Sequence, residues 1–564
     1  MQKRSILAAS AAAAVTVLSV TAAAVNRAPD FHKQISKQDR VLHALNRLTF
    51  GPRPGDAERV QAAGLKKWID DQLHPNRIPE NPILEAKLKP LDSLFMTTET
   101  LVANYPEPQM VRQMLKQQRA FPSDPQLRLL LDRFARRFEA RQKLTDPPAP
   151  DQEMESLLSP EQVKLFRSGT PEQRLALFES VPAEQQDDVL LALPQGIRQS
   201  MFAIAPPDLR RKLDLVSGPQ QVVALDLSQG KLLRAIYTNR QLEEVLTDFW
   251  FNHFNIYLDK GSDHFLITAY ERDAIRPHVL GKFRDLLEAT AKSPAMLYYL
   301  DNWQSRANSP QPKGKSSSTG LNENYGRELM ELHTLGVDGG YTQHDVTEVA
   351  RCFTGWTIDR PGEGGPFTFN PKMHDQGEKI VLGVKIPAGG GIEDGEKVLD
   401  ILARHPSTAR FISRKLAMRF VADDPPPALV ERMAQTFLKS DGDLRAVMTT
   451  MLASKEFWSV GAYRSKLKAP FEVVVSAVRS LNGDVDFAAN LVNQVAQMGE
   501  PLYRKQEPTG YSNSGREWLN SAGLLARMNF AVNLAENKIQ GVKVEASAGP
   551  SGEVSVGAPD FQRH

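Results

Sequence analysis

The sequence predicts a mainly α-helical protein with a multi-helical globular core, a small β-hairpin and an inserted stack of short helices. Apolar residues recur three and four positions apart through most of the chain, which is the spacing of one helix face. Prolines pace one segment at intervals of about eleven or twelve residues. With 41% hydrophobic and 24% charged residues, the chain of 564 residues has ample apolar material for more than one core.

The N-terminus has the composition of a targeting segment. Lys3 and Arg4 precede an apolar run, Ile6 to Val25, which ends in small residues where a signal peptidase could cut. This pattern predicts a cleaved secretory signal peptide and a periplasmic or secreted protein. An uncleaved anchor helix stays open as the alternative, because the run approaches membrane-spanning length.

The rest of the chain divides into four further segments by its pattern of helices, prolines and glycines. After the signal peptide, residues 1–25, an N-terminal helical segment covers residues 26–99 and a helical insertion covers residues 100–230. A helical core follows at residues 231–480, and C-terminal helices with an irregular tail cover residues 481–564. A net charge of +2 leaves no concentrated basic surface, which argues against nucleic acid as a partner. The only cysteine, Cys352, excludes an intramolecular disulfide and is interpreted as a small core residue.

Within the insertion, five regularly spaced prolines each begin a short apolar unit. Proline suits the first turn of a helix because its missing N–H would have no intrahelical partner there. Ser159 and Thr170 precede two of the prolines and are predicted N-caps. We therefore expect a stack of short helices, either a binding surface or a plain insertion, starting at Pro160, Pro171, Pro182, Pro194 and Pro206.

Two predicted helices of the core carry polar residues on their apolar faces. A helix from Gln241 to Tyr257 places His253 in the middle of its apolar face. A second helix, Asn322 to Leu335, places Glu328 inside its apolar stripe, and a dry carboxylate there needs a cation, a hydrogen-bond donor or a metal. A structural histidine bonded to backbone is the alternative for His253.

Other titratable residues lie close to these two in the sequence. Glu331 and His333 flank the stripe of the second helix, and Arg327 has the spacing of a surface ion pair with Glu331. In a third predicted helix, Thr342 to Trp356, the pattern indicates a capping box between Thr342 and Asp345.

A Gly-rich region follows the third helix. Its segments Phe367–Phe369 and Ile380–Ile386 have strand character and predict the small hairpin. His374 and Asp375 lie in the loop between them, where loop residues can reach a cleft.

Several motifs together resemble one known family, the bacterial proteins that share domain of unknown function 1800. The motifs are His43 to Pro52, Phe249 to Phe254, Ser293 to Leu297, Asn322 to Gly336, Gly339 to Gln343, Thr354 to Trp356, His405 to Ala409 and Ala558 to Arg563. They cover nearly the whole chain after the signal. The resemblance implies a large exported protein whose genes often lie beside those of a second exported family similar to sulfatases. It implies no established activity, cofactor or catalytic residue.

Two classes of function remain open. In the first, the chain is an enzyme, a metal-assisted or acid–base hydrolase of an envelope substrate, with His253 and Glu328 at a buried site surrounded by Arg327, Glu331, His333, His374 and Asp375. In the second, it is a non-catalytic scaffold or chaperone for a co-exported, sulfatase-like partner. The sequence leaves the metal and any cofactor unknown.

Overall fold

The computed structural model describes residues 29–143, 150–307, 320–545 and 556–564. The predicted signal peptide, residues 1–25, lies outside the described residues, as does most of the predicted irregular tail. Over the described ranges the chain forms 27 α-helices and three two-stranded antiparallel sheets, which confirms the mainly α fold class.

The α-helices, α1 to α27 in chain order, are Asp39–Leu48, Asp56–Ala63, Leu65–Leu73, Pro82–Leu88, Thr98–Asn104, Pro108–Leu115, Pro125–Lys143, Pro150–Leu157, Pro160–Ser168, Pro171–Ser180, Ala183–Ala192, Gln195–Phe202, Pro207–Ser217, Pro219–Tyr237, Gln241–His253, Asp263–Ala269, Phe283–Ala291, Pro294–Tyr299, Glu323–Glu331, Gln343–Cys352, Ile392–Ala403, Pro406–Phe420, Pro427–Lys439, Leu444–Leu452, Pro470–Ser480, Ala489–Gln497 and Ser521–Ala535. The strands, β1 to β6, are Trp356–Ile358, Phe367–Phe369, Lys379–Val381, Val384–Ile386, Asp484–Val485 and Val542–Lys543.

The proline-paced stack forms as predicted, with one helix after each of the five prolines. Ser159 and Thr170 are N-caps whose hydroxyl oxygens accept from the backbone N–H groups of Gln162 and Gln173. Both glutamine side chains reach back to the cap residue, which completes two capping boxes. These local signals are strong enough to set each helix start, because they satisfy backbone donors that the helix cannot.

Two large apolar cores hold the molecule together. The smaller one contains the stack and the helices before it, and residues such as Phe166, Phe178 and Met201 are buried there. The larger one extends from Ala44 to Val556 and contains every element around the candidate site. Helix α14 contributes to both cores, with Val222 and Val223 in the smaller and Leu232 in the larger.

The small sheets differ from the single predicted hairpin. The segment Lys379–Ile386 closes on itself as β3 and β4, with Leu382 and Gly383 at positive φ in a tight turn. Phe367–Phe369 pairs instead with Trp356–Ile358. The third predicted helix therefore ends at Cys352 rather than Trp356, because Gly355 at φ +80° turns the chain into β1.

The other two site-bearing helices are also shorter than predicted. Helix α15 ends at His253, and the carbonyl of the next residue, Phe254, accepts from the Tyr270 hydroxyl at 2.8 Å. Helix α19 ends at Glu331, where the Thr334 hydroxyl donates to the carbonyl of Leu329. A bond to a residue sixteen positions away takes over at the end of α15, and a local side-chain bond does so at the end of α19. Within the described ranges, none of the helices has the length and apolar character to cross a membrane.

Candidate functional site

His253 is buried at the end of α15 and has two partners. Its Nε2 lies 3.1 Å from the carbonyl oxygen of His333, which can only accept, so Nε2 carries the hydrogen. Its Nδ1 then accepts from the ammonium group of Lys415 at 2.9 Å. Burial, and secondly the charge of Lys415, hold the pKa of His253 well below its usual value, so the ring is neutral.

His333 lies beside His253, with ring centroids 6.3 Å apart. Burial and the Lys415 charge lower the pKa of His333 to about 3, and its Nε2 is buried without a hydrogen-bond partner among the described residues. Burial also lowers the pKa of Lys415 to about 8. The structure thus brings two predicted residues together around a lysine that the sequence analysis did not select.

Glu328, Glu331 and Arg327 belong to α19 and have other partners. Glu328 is half-buried, and partial burial followed by the charge of Glu331 raises its pKa. Glu331 accepts from the Tyr341 hydroxyl at 3.2 Å, and Arg327 donates to Gln343 at 2.7 Å. Among the described residues no hydrogen bond or ion pair joins Glu328 to His253.

His374 and Asp375 belong to a third group, which anchors β3. The His374 ring contacts the carbonyl of Thr354 at 2.8 Å and Asp394 at 3.1 Å. Asp375 accepts two hydrogen bonds from the Arg351 guanidinium, both 2.9 Å, and these lower its pKa. The predicted site residues therefore divide into three separate clusters rather than one. In the described ranges, no three or more His, Cys, Asp or Glu side chains are grouped as a metal ion would need.

Another face of α15, with Asp248, Phe249 and Asn252, lines a small cavity, called here the central cavity, of about 70 Å³. Its wall combines charged, amide and aromatic side chains from α14, α15, α22, α25 and the loop between α26 and α27. The lining residues are Lys231, Asp248, Phe249, Phe251, Asn252, Asn255, Arg419, Lys466, Leu467, Ala469, Phe471, Glu472, Glu500, Leu502, Tyr503, Tyr511, Ser512, Asn513, Gly515 and Trp518.

An ion pair crosses the cavity wall between α14 and α15. The ammonium group of Lys231 lies 2.6 Å from Asp248, and it also lies over the rings of Phe251, Phe471 and Tyr503 at 5.0–5.6 Å. Burial alone would lower the pKa of Lys231, but the charge of Asp248 and other acids outweighs it and raises the pKa. The lysine is therefore a fixed cation that holds Asp248 in place.

Glu500 is the unusual acid of the cavity. It lies just after α26, and its Oε2 accepts from the backbone N–H of Phe471 at 2.8 Å, at the start of α25. Glu500 is partly buried. Its hydrogen bond favours the carboxylate, yet burial and the neighbouring charge of Asp248 outweigh that effect. They raise the pKa of Glu500 to about 8, so this side chain is a neutral carboxylic acid at pH 7.

Two further ion pairs close the cavity on its other side. Arg419 pairs with Glu472 at 2.6 Å, and Lys466 pairs with Asp423. Glu472 also caps α25 by accepting from the backbone N–H of Ala469 at 2.8 Å. Five charged side chains of the cavity thus have an oppositely charged partner, namely Lys231, Asp248, Arg419, Lys466 and Glu472.

The loop between α26 and α27 forms the remaining wall of the cavity. The side-chain amides of Asn252 and Asn255 hold this loop in place. Asn252 accepts from the backbone N–H of Tyr511 at 2.6 Å and donates to its carbonyl at 2.8 Å. Asn255 donates to the carbonyls of Lys505 and Glu507, both at 2.9 Å. A Cβ on Gly510 would lie 2.2 Å from the carbonyl oxygen of Asn252, so only glycine allows this approach.

We expect Asn252→Ala to lower the free energy of unfolding by about 1–3 kcal/mol, because the Tyr511 backbone groups lose both partners in a partly buried site. Urea denaturation followed by circular dichroism measures this change. Asn493→Ala, at an exposed position of α26, is the matched control and should change stability by less than about 0.5 kcal/mol. A loss for Asn252→Ala no larger than that of the control would contradict the role of this side chain as the anchor of the loop.

The structure therefore defines a mainly helical protein with a cluster of charged side chains around the central cavity. The chain belongs to the DUF1800 family, proteins of unknown function, whose pattern matches residues 43–558. No curated protein and no solved structure matches the chain. The family assignment agrees with the resemblance found in the sequence motifs.

Proposed function

We propose that this chain is an exported acid–base hydrolase whose reaction takes place in the central cavity. The observation that supports the proposal most is that two acids in different surroundings line one cavity. Glu500 is neutral near pH 7, while Asp248 forms an ion pair with Lys231. An acid whose pKa is raised, beside a second carboxyl group that is held by a cation, is an arrangement that general acid–base catalysis can use.

In this proposal Glu500 is the general acid. Its Oε2 is engaged by the Phe471 N–H, which leaves Oε1 to carry the proton. Glu500 donates that proton to the leaving-group atom as the scissile bond breaks. Asp248 accepts a proton from the attacking water, and the Lys231 ammonium, 2.6 Å away, holds Asp248 in place. One water is consumed, and a proton exchange with solvent restores both acids.

The aromatic and amide wall supports a polar organic substrate. Tyr511 and Trp518 lie 5.9 Å apart between ring centroids and present flat apolar surfaces beside the acids. The N-terminal pattern, Lys3 and Arg4 before an apolar run, supports export to the periplasm or beyond. A co-exported, sulfatase-like protein is the proposed partner in that compartment.

The test is hydrolysis by the purified full chain, with chromogenic esters and glycosides and with isolated cell-wall polymer as substrates. We expect Glu500→Gln and Asp248→Asn each to lower kcat by about 10²–10⁴-fold, the range for loss of a positioned acid or base. The two substitutions keep the size of each side chain, so circular dichroism should show an unchanged fold.

Glu431→Gln, on the exposed face of α23, is the control and should retain full activity. Turnover that is equal in wild type and in Glu500→Gln would contradict the proposal. A wild-type protein that hydrolyses none of these substrates would favour the alternative, a scaffold or chaperone that uses the stack of short helices as its binding surface.

A further inference from the structure

Helix α27, Ser521–Ala535, is apolar on the side that faces solvent as well as on the side that faces the core. Phe530, Ala531 and Leu534 are buried in the larger core. On the opposite side Leu524, Leu525, Met528 and Val532 are 49%, 59%, 54% and 55% exposed. A helix that is apolar all round is normally covered on both sides, so the exposed side points to a missing partner.

This exposed side, called here the outer face, is uncharged along the whole helix. Its remaining exposed residues are small or neutral: Ser521, Ala522, Asn529 and Ala535. Leu519, 63% exposed, extends the patch beyond the start of the helix. A contiguous apolar patch of this kind on a folded domain marks a contact surface, whereas single exposed apolar residues need no explanation.

The outer face is self-complementary when a second helix runs in the opposite direction. Met528 is the centre, Leu524 and Val532 lie four residues to either side, and Ser521 and Ala535 lie seven to either side. An antiparallel copy would therefore set Leu524 against Val532 and Ser521 against Ala535. A two-fold interface needs this property, because the same patch must serve both subunits.

The charges at the two ends of the outer face complement each other in the same arrangement. Glu517 is exposed before the helix, and Lys538 is exposed after it. Lys538 also pairs with Glu536 of its own chain at 2.5 Å. Because Glu517 and Lys538 flank opposite ends of α27, an antiparallel copy brings the Glu517 end of one subunit to the Lys538 end of the other.

We propose that α27 pairs with α27 of a second copy of this chain in an antiparallel, two-fold symmetric dimer. A membrane surface is the less suitable occupant, because interfacial helices carry an excess of Lys and Arg along their polar border. The outer face here is bordered by Arg516 with Glu517 at one end and by Glu536 with Lys538 at the other. The same helix begins just after Trp518 of the central cavity, so dimerisation would cover the chain next to the cavity wall.

Sedimentation velocity of the full chain over a range of concentrations tests the proposal. We expect a concentration-dependent dimer, and we expect Leu525→Glu to weaken it roughly tenfold or more because a carboxylate would be buried at the contact. Leu438→Glu is the matched control, since Leu438 is 43% exposed on α23, and should leave the dimer unchanged. A monomer at every concentration, or a dimer insensitive to Leu525→Glu, would overturn the proposal.

A charge exchange tests the antiparallel direction. Glu517→Lys and Lys538→Glu should each weaken the dimer, and the protein with both changes should recover it, because the pair is restored with its signs reversed. Failure of the double variant to recover would overturn the antiparallel pairing. Binding of the wild-type monomer to phosphatidylcholine–phosphatidylglycerol vesicles, lost in Leu525→Glu, would overturn the dimer in favour of a membrane surface.

Discussion

Glu500→Gln is expected to stabilise the folded protein at pH 8 relative to wild type, and to have little effect at pH 5. The folded state holds the pKa of Glu500 at about 8, above the unfolded value near 4.5. The folded state therefore binds this proton more tightly than the unfolded state does. The contribution of the bound proton to the free energy of unfolding is fully present below pH 4.5. It is lost as the pH rises through 8, by on the order of 3–5 kcal/mol at most.

Urea denaturation at several pH values measures this effect. The wild-type free energy of unfolding should fall between pH 5 and pH 8 more steeply than that of Glu500→Gln, because glutamine has no proton to lose. Glu431→Gln, which changes an exposed carboxylate, should follow the wild-type curve. Parallel curves for wild type and Glu500→Gln would show that Glu500 titrates normally, and the assigned general acid would be lost with it.

Arg276→Met is expected to destabilise the protein by about 3–5 kcal/mol, the cost of leaving buried acids without their cation. The Arg276 guanidinium pairs with Glu244 through both of its terminal nitrogens and with Glu271 at 3.1 Å. The Tyr503 hydroxyl donates to the other oxygen of Glu271 at 2.5 Å. Burial would raise the pKa of Glu271, but the charges of Lys231 and Arg276 outweigh it and lower the pKa.

Thermal or urea denaturation at pH 7 measures the loss, and Arg404→Met is the control. Arg404 pairs with Asp441 at 3.0 Å but is 56% exposed, so its removal should cost less than about 1 kcal/mol. Because Tyr503 lines the central cavity, Arg276→Met should also lower hydrolytic activity. Equal losses for the two variants would contradict the network as the support of this wall.

The sequence was sufficient for the fold wherever local signals act alone. Proline, a capping hydroxyl and an apolar period coincide at Pro160 and Pro171, and both helices begin there. The capping box from Thr342 to Asp345 and the burial of Cys352 were predicted on the same grounds and are confirmed. Helix ends and strand partners were harder to predict from the sequence. They depend on bonds such as the one from Tyr270 to Phe254, which join residues that are far apart in the sequence.

The candidate site was harder to predict for the same reason. The helix pattern identified His253 as a polar residue on an apolar face, and the structure buries this residue. Its partner Lys415 comes from a helix far along the chain and could not be predicted from that pattern. Asp248 and Asn252 are four residues apart on α15, and this shared polar face was the one local signal of the cavity. Glu500 lies in a loop, and its pKa is raised by burial and by the charge of Asp248, which depend on the tertiary fold.

The protonation state of Glu500 in the folded protein tests the account most directly. Infrared spectra of wild type minus Glu500→Gln, recorded across a pH titration, isolate the C=O stretch of this one carboxyl group. The account predicts a protonated carboxylic acid band that is present at pH 6 and disappears with an apparent pKa of about 8. A carboxylate band already complete at pH 6 would contradict it.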